Sequence, residues 1–159
     1  MNIFVTVGSQ MSFDRLITCV DSWAKNNHHQ IFAQIGATTY KPKNIAHTAT
    51  IDPSIFIQRI QWADVVIAHA GMGSILSCLQ YETPIVVMPR RGSLRETRND
   101  HQVATAERFG EQKKISTAMN EDALTSLLDD LSELSLPSAI SAHASDQLIS
   151  SLRKFIALP

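Results

Sequence analysis

The chain alternates between short runs that are apolar at nearly every position and longer stretches whose apolar residues recur every three or four. Continuous apolar runs predict strands buried on both faces of a sheet, and the three-to-four period predicts helices with one buried side. Ile3 to Val7 is the first apolar run, and it ends in Gly8-Ser9-Gln10. A helix is expected from about Ser12, with Ser12 as N-cap, because Phe13, Leu16, Ile17, Val20, Trp23 and Ala24 keep the helical period. Asn26 to His29 reads as its exit turn. Gln30 to Ile35 is the second strand, closed by Gly36, and Ile45 to Ile51 holds a weaker third one after a loop with Pro42. Asp52-Pro53 marks the start of a short helix, with Asp52 as N-cap, proline at the first helical position, and an apolar side from Ile55, Phe56, Arg59, Ile60 and Trp62.

The stretch from Ala63 to Pro89 organises the rest. Val65 to Ala68 is a buried strand, His69 to Gly73 a turn with two glycines, and Ser74 to Leu79 a helix with Ile75, Leu76 and Leu79 on its apolar face. Pro84 breaks that helix, and Ile85 to Met88 is the next strand. The polar segment Arg90 to Asp100 follows, with arginines at 90, 91, 95 and 98. His101 to Phe109 reads as a helix with Val103, Ala104, Ala106 and Phe109 inward and Gly110 at the C′ position. Lys113 to Ser116 is a last short strand. Asn120 is the expected N-cap of a helix carrying Leu124, Leu127, Leu128 and Leu131, Leu136-Pro137-Ser138 is a break, and Ala139 to Ala157 is expected to be the final helix. Strands alternating with helices predict right-handed crossovers and an α/β, Rossmann-like, doubly wound parallel sheet.

Composition narrows the classes. A chain of 159 residues with 44% hydrophobic and 18% charged residues is a single globular domain over residues 1–159. A net charge of −1 gives no support for nucleic-acid binding. Cys19 and Cys78 fall on predicted apolar helix faces and read as core residues rather than a disulfide. No metal-spaced cysteine cluster is present and no metal motif is evident, so no metal and no cofactor are expected. Met1-Asn2 leads straight into a strand, and no long apolar segment occurs, which predicts a cytoplasmic chain that reaches a membrane only through a partner.

Candidate chemistry gathers at the carboxyl edge of the predicted sheet. A helix that begins just after a strand aims free N–H groups and its positive dipole end at that edge, where a phosphate is accepted. Gly8-Ser9-Gln10 is either a plain turn or part of that edge. His69 is either a structural strand-end histidine or a ligand group. The arginines of 90–98 are either solvated or face phosphates or an acidic lipid surface. Asp100, His101 and Gln102 either start a helix or recognise sugar hydroxyls. Gly71-x-Gly73 also opens a dinucleotide fingerprint, but Leu76 stands where its third glycine belongs, so a phosphorylated-nicotinamide oxidoreductase is the weaker reading.

His69-Ala70-Gly71-Met72-Gly73-Ser74-Ile75-Leu76, Glu82 to Pro89 and Asn99-Asp100-His101-Gln102, together with Val5 to Ser9, resemble the C-terminal, nucleotide-sugar-binding domain of glycosyltransferase family 28. The likeness spans roughly residues 1–150. It is greatest to the short single-domain members, the soluble catalytic subunits of two-part N-acetylglucosaminyltransferases and of bacterial capsule and exopolysaccharide transferases. The resemblance implies the C-terminal half of a GT-B glycosyltransferase with inverting chemistry, a UDP-sugar donor, a lipid-linked acceptor and a membrane-anchored partner subunit supplying the other half of the site. It places Gly8, Ser9 and Gln10 beside the diphosphate, His69, Ala70, Gly71, Met72, Gly73 and Ser74 around it at the helix start, and Asp100, His101 and Gln102 near the sugar or ribose. Arg90 joins this substrate-binding set, and His69 is the candidate base. Ser77 occupies a position where relatives often carry a ribose-binding acid. That departure leaves open a second function, a non-catalytic adaptor that stabilises a partner transferase.

Overall fold

The computed structural model describes residues 1–134, 136, 137, 140 and 143–157. A six-stranded sheet, parallel throughout, carries the fold in the order β3-β2-β1-β4-β5-β6. The strands are β1 (Asn2–Thr6), β2 (Gln30–Gln34), β3 (Ala46–Thr48), β4 (Val65–His69), β5 (Ile85–Met88) and β6 (Ser116–Thr117). The helices are α1 (Asp14–Ala24), α2 (Pro53–Trp62), α3 (Met72–Gln80), α4 (His101–Glu111), α5 (Glu121–Asp129) and α6 (Asp146–Ile156).

Each central strand alternates its side chains between two cores. Ile3, Val5, Val65, Ile67, Val86 and Met88 pack with Phe13, Leu16, Ile17 and Val20 of α1 and Leu124 and Leu128 of α5. Phe4, Val66, Ala68, Ile85 and Val87 pack on the other face with Ile60, Ile75, Leu79 and Ala106 of α2, α3 and α4. Burial on both faces explains why these strands read as unbroken apolar runs. The chain winds outward from β1 in one direction and from β4 in the other. The carboxyl ends of β1 and β4, side by side with Thr6 opposite Ala68, therefore form the switch point where such sheets leave a crevice.

Several boundaries depart from the expected ones. Helix α1 starts at Asp14 rather than about Ser12, and the cap position falls to Phe13, which makes no side-chain cap bond; the Ser12 carbonyl instead accepts from Arg90 Nη2 at 3.3 Å. Asp52 sits at the cap of α2 without a side-chain bond. Helix α3 begins at Met72, so Gly73 lies in its first turn and Gly71 caps it. Leu76, expected inward, is exposed because the buried stripe runs through Ser74, Ile75, Cys78 and Leu79. Helix α4 runs through Gly110 to Glu111; a Cβ at Gly110 would come within 3.0 Å of Thr117 Cγ2, so this glycine answers to close helix–strand packing and not to a C′ turn. Ala104 of the same helix is exposed, and its buried residues are Gln102 and Ala106. The last strand lies at Ser116–Thr117. Asn120 does cap α5, its Oδ1 accepting from Ala123 N at 2.8 Å. Helix α6 begins at Asp146, capped by Ser145; of the expected earlier portion, Ala139, Ser141 and Ala142 lie outside the described residues, as does Ser138 of the break. Both cysteines are free; burial pushes the Cys78 thiol up to about 12.

Candidate functional site

A cavity of about 660 Å³ opens at the switch point. Its walls come from the ends of β1, β2, β4 and β5 and the starts of α2, α3 and α4. It is lined by Arg90 but not Arg91, Arg95 or Arg98 of the arginine segment, and by all the other residues the sequence singles out for the site except Ala70, Met72 and Asp100. Ala70 is buried in the core behind the turn, and Met72 is exposed. Asp100 is exposed, and its Oδ1 accepts from Gly92 N at 2.7 Å, closing the loop before α4. The cavity also has contributors that the sequence does not single out as site residues: Gln34 at the end of β2, Ile51, Pro53 and Phe56 around the start of α2, and Met11 and Thr97 in loops. Pro53 at a helix start and Gln34 among apolar strand residues were the local signals available, but neither says which edge faces a ligand.

Two glycine loops meet over one imidazole. A Cβ on Gly8 would stand 2.7 Å from His69 Cε1, and one on Gly71 would collide with His69 Nε2. Gly8 also holds φ +76°, a left-handed conformation that favours glycine. The backbone of both loops can thus close directly onto the ring only because neither residue has a side chain. Three hydrogen bonds lock Gly8 in a ring: its N–H donates to Thr6 Oγ1 at 3.1 Å, Thr6 Oγ1 donates to Gln34 Oε1 at 2.6 Å, and Gln34 Nε2 donates to Gly8 O at 2.7 Å.

Burial, reinforced by the positive charge of Arg90, pushes the His69 pKa down to about 4. Its Nδ1 is buried without a hydrogen-bond partner among the described residues. The imidazole is therefore neutral at physiological pH and a weak proton acceptor, which suits a floor beneath the two loops better than the general base the sequence nominated. A stability prediction follows from the sign of the shift. Above pH 6.5 the folded and unfolded states are both neutral at this site; as pH falls from 6.5 to 4 only the unfolded state takes up the proton, so stability is lost across that window. The expected loss is on the order of 3 kcal/mol. Denaturant unfolding at pH 7 and pH 4.5 should show His69→Gln losing markedly less stability than the wild type; equal losses would remove His69 as the cause.

The loop after β5 is pinned by charge. The Glu96 carboxylate accepts from Arg15 Nε at 2.7 Å, from Arg15 Nη2 at 2.8 Å and from Arg91 N at 2.9 Å. Gln102 is buried at the start of α4 and accepts from Arg90 N at 3.1 Å through Oε1, leaving its amide nitrogen free for the cavity. His101, exposed, borders the opening and contacts Asn99 Oδ1 through Nδ1. At the start of α3, Gly73 and Ser74 bring the helix's free N–H groups to the cavity wall. Such a wall, with Arg90 beside it, accepts negative charge.

The model of the glycosyltransferase family 28 C-terminal domain matches residues 2–157. The chain belongs to this family. It is 36% identical over 118 residues to human UDP-N-acetylglucosamine transferase subunit ALG13; the match covers 67% of the chain but 10% of that relative's length. Among solved structures, one of ALG13 superimposes with a TM-score of 0.62 at 18% identity, covering 96% of this chain and 94% of that one. MurG from Acinetobacter baumannii gives 0.61 at 19% identity, with 83% of this chain and 41% of the other covered. At these identities the structural matches establish the fold, that of one half of a GT-B glycosyltransferase. Among the described residues, no helix is long and apolar enough to cross a membrane and no cluster of metal-ligating side chains occurs.

Proposed function

We propose that the chain is the donor-binding, catalytic subunit of a two-component inverting glycosyltransferase. It takes a UDP-sugar and acts with a membrane-anchored partner on a lipid-linked acceptor in polysaccharide or oligosaccharide assembly. The observation that carries this reading is the meeting of the Gly8 and Gly71 loops over His69 beside the start of α3, at the switch point of the sheet. Membership in the family supports it. In this reading the loop at Gly8, Ser9 and Gln10 and the turn from Gly71 to Ser74 flank the diphosphate. Ile51, Pro53 and Phe56 give the apolar wall that a nucleobase needs, and Ser77 lies in the same cavity. As the sugar leaves, charge builds on the departing nucleoside diphosphate, and preorganised N–H groups in a water-poor site stabilise it. The acceptor hydroxyl must lose a proton to a base; with His69 neutral and a weak proton acceptor beneath two glycines, that base comes from the partner's side of the cleft.

The partner is placed on α6. Leu148, Leu152, Phe155 and Ile156 recur at helical spacing, all exposed, and α6 has no buried residue. An apolar stripe without cover on a capped helix fits a heterologous subunit.

Titration calorimetry with UDP tests the donor site: binding at micromolar to millimolar affinity supports the transferase, and no binding supports the adaptor reading that Ser77 keeps alive. Binding of NADP but not UDP would overturn both. Gln102 offers a finer test. Gln102 lines the cavity and its amide nitrogen has no hydrogen bond among the described residues; losing a hydrogen bond to a buried polar partner costs about 1–3 kcal/mol. Gln102→Ala should therefore lower kcat/KM of the assembled enzyme about tenfold or more. A change in thermal stability alone would reduce Gln102 to a prop for Arg90 N.

A further inference from the structure

Arg90 is 4% exposed, yet among the described residues no carboxylate pairs with it. Its Nη2 donates to three backbone carbonyls, Val7 O at 2.8 Å, Met11 O at 2.6 Å and Ser12 O at 3.3 Å. Its Nε is buried with no partner, and Nη1 makes no hydrogen bond among the described residues. The one acid whose charge reaches it, Glu96, is held by Arg15 and Arg91 N. The guanidinium sits over the Phe13 ring, 5.2 Å from its centre, and borders the cavity together with Gly73 and Ser74.

An arginine removed from water without a counter-ion costs several kcal/mol, and carbonyl dipoles recover only part of it. Here the loop carbonyls hold the guanidinium in place and leave its net charge uncancelled. The same atoms fix the path of the chain from Val7 to Ser12. Charge and loop geometry are thus joined in one side chain at the edge where an anion would lie.

We infer that Arg90 is the residue by which this site selects a nucleoside diphosphate over a monophosphate: a buried cation held ready by the β1–α1 loop, whose counter-charge arrives with the ligand's second phosphate. This rests on the donor-site reading above. It adds that a nucleotide joined to its sugar through a single phosphate is a poor ligand, because it leaves the guanidinium short of charge. Arg90 is a determinant separate from the helix start, whose dipole serves one phosphate as well as two.

The experiment compares uridine, UMP and UDP by calorimetry on the wild type, Arg90→Gln and Arg90→Lys. The wild type should bind UDP about 10- to 100-fold more tightly than UMP, the range expected for a hydrogen bond to a charged partner. Arg90→Gln, which keeps a donor for the loop carbonyls but lacks the charge, should bring that ratio to within about threefold, and Arg90→Lys should restore most of it. Equal weakening of all three ligands in Arg90→Gln would make Arg90 a loop anchor only and overturn the inference; an unchanged ratio would do the same. Failure of the wild type to bind UDP at all would overturn the donor-site reading instead. Should Arg90→Gln fail to fold, the Arg90 Nε–H resonance of the wild type decides. It should shift strongly with saturating UDP and little with UMP, and no difference between the two overturns the proposal.

Discussion

Gly73→Val should abolish UDP binding and leave the protein folded. Gly73 lies in the first turn of α3, on the wall of the cavity, and a Cβ built there meets nothing within 4 Å beyond its chain neighbours and its own helix backbone. A valine side chain therefore enters open space in the free protein and obstructs only a ligand that approaches the helix start. Valine adopts helical backbone angles without strain, and its modest propensity penalty is well below 1 kcal/mol. Loss of a close backbone–phosphate approach should weaken UDP by about 100-fold or more. Calorimetry paired with circular dichroism checks it. A folded Gly73→Val that binds UDP as the wild type does removes the α3 turn as the site. Gly71→Ala makes the contrast: its Cβ collides with His69, so it should destabilise the protein whether or not a nucleotide binds.

The second large effect is dependence on a partner. The purified chain should show no measurable transfer from a UDP-sugar to a lipid-linked acceptor, and adding the partner subunit should restore turnover. Glycosyl transfer needs donor and acceptor held together with water excluded, and proximity supplies much of the rate. The described residues form one sheet, and the cavity at its carboxyl end is open to solvent on one side. The exposed stripe on α6 locates the joint. Leu152→Glu with Phe155→Glu should block assembly and transfer while UDP affinity stays within about twofold, since neither residue lines the cavity. Transfer by the isolated chain at the rate of the complex would refute the half-enzyme reading. Assembly of the α6 double variant at wild-type strength would move the interface elsewhere.

The alternation of strands and helices was legible because each element's period reflects the burial of its own side chains. The runs at Ile3–Val7, Val65–Ala68 and Ile85–Met88 correspond to the interior strands β1, β4 and β5, and the α1 set from Phe13 to Ala24 is buried throughout. Prediction was weakest at element ends, where a tertiary partner takes a backbone group. The Ser12 carbonyl goes to the Arg90 guanidinium while the helix starts later, and Gly110 reads locally as a helix stop although its tie to Thr117 lies across the fold.

The site divides in the same way. Glycines after strands, a helix start and the polar triplet before α4 are local features, and their family likeness is carried by contiguous residues. Local pattern is therefore enough for the α/β class, the family and the sheet edge that carries the candidate site. What each side chain does there depends on contacts across the fold. The uncovered stripe of α6 is a matter of tertiary burial as well, since periodicity marks an apolar face without saying what covers it. Sequence proximity grouped Asp100 with Gln102, but packing turned Asp100 to Gly92 N and Gln102 to Arg90 N. The parallel sheet brings Gly8 and Gly71 together across the β1–β4 boundary and sets the His69 ring against both. It also carries Arg90 from the end of β5 to the carbonyls of Val7, Met11 and Ser12, some eighty positions earlier in the chain. Periodicity reports how a segment meets solvent; it holds no information about which distant backbone will accept a buried cation's hydrogen bonds, and strand order supplies that.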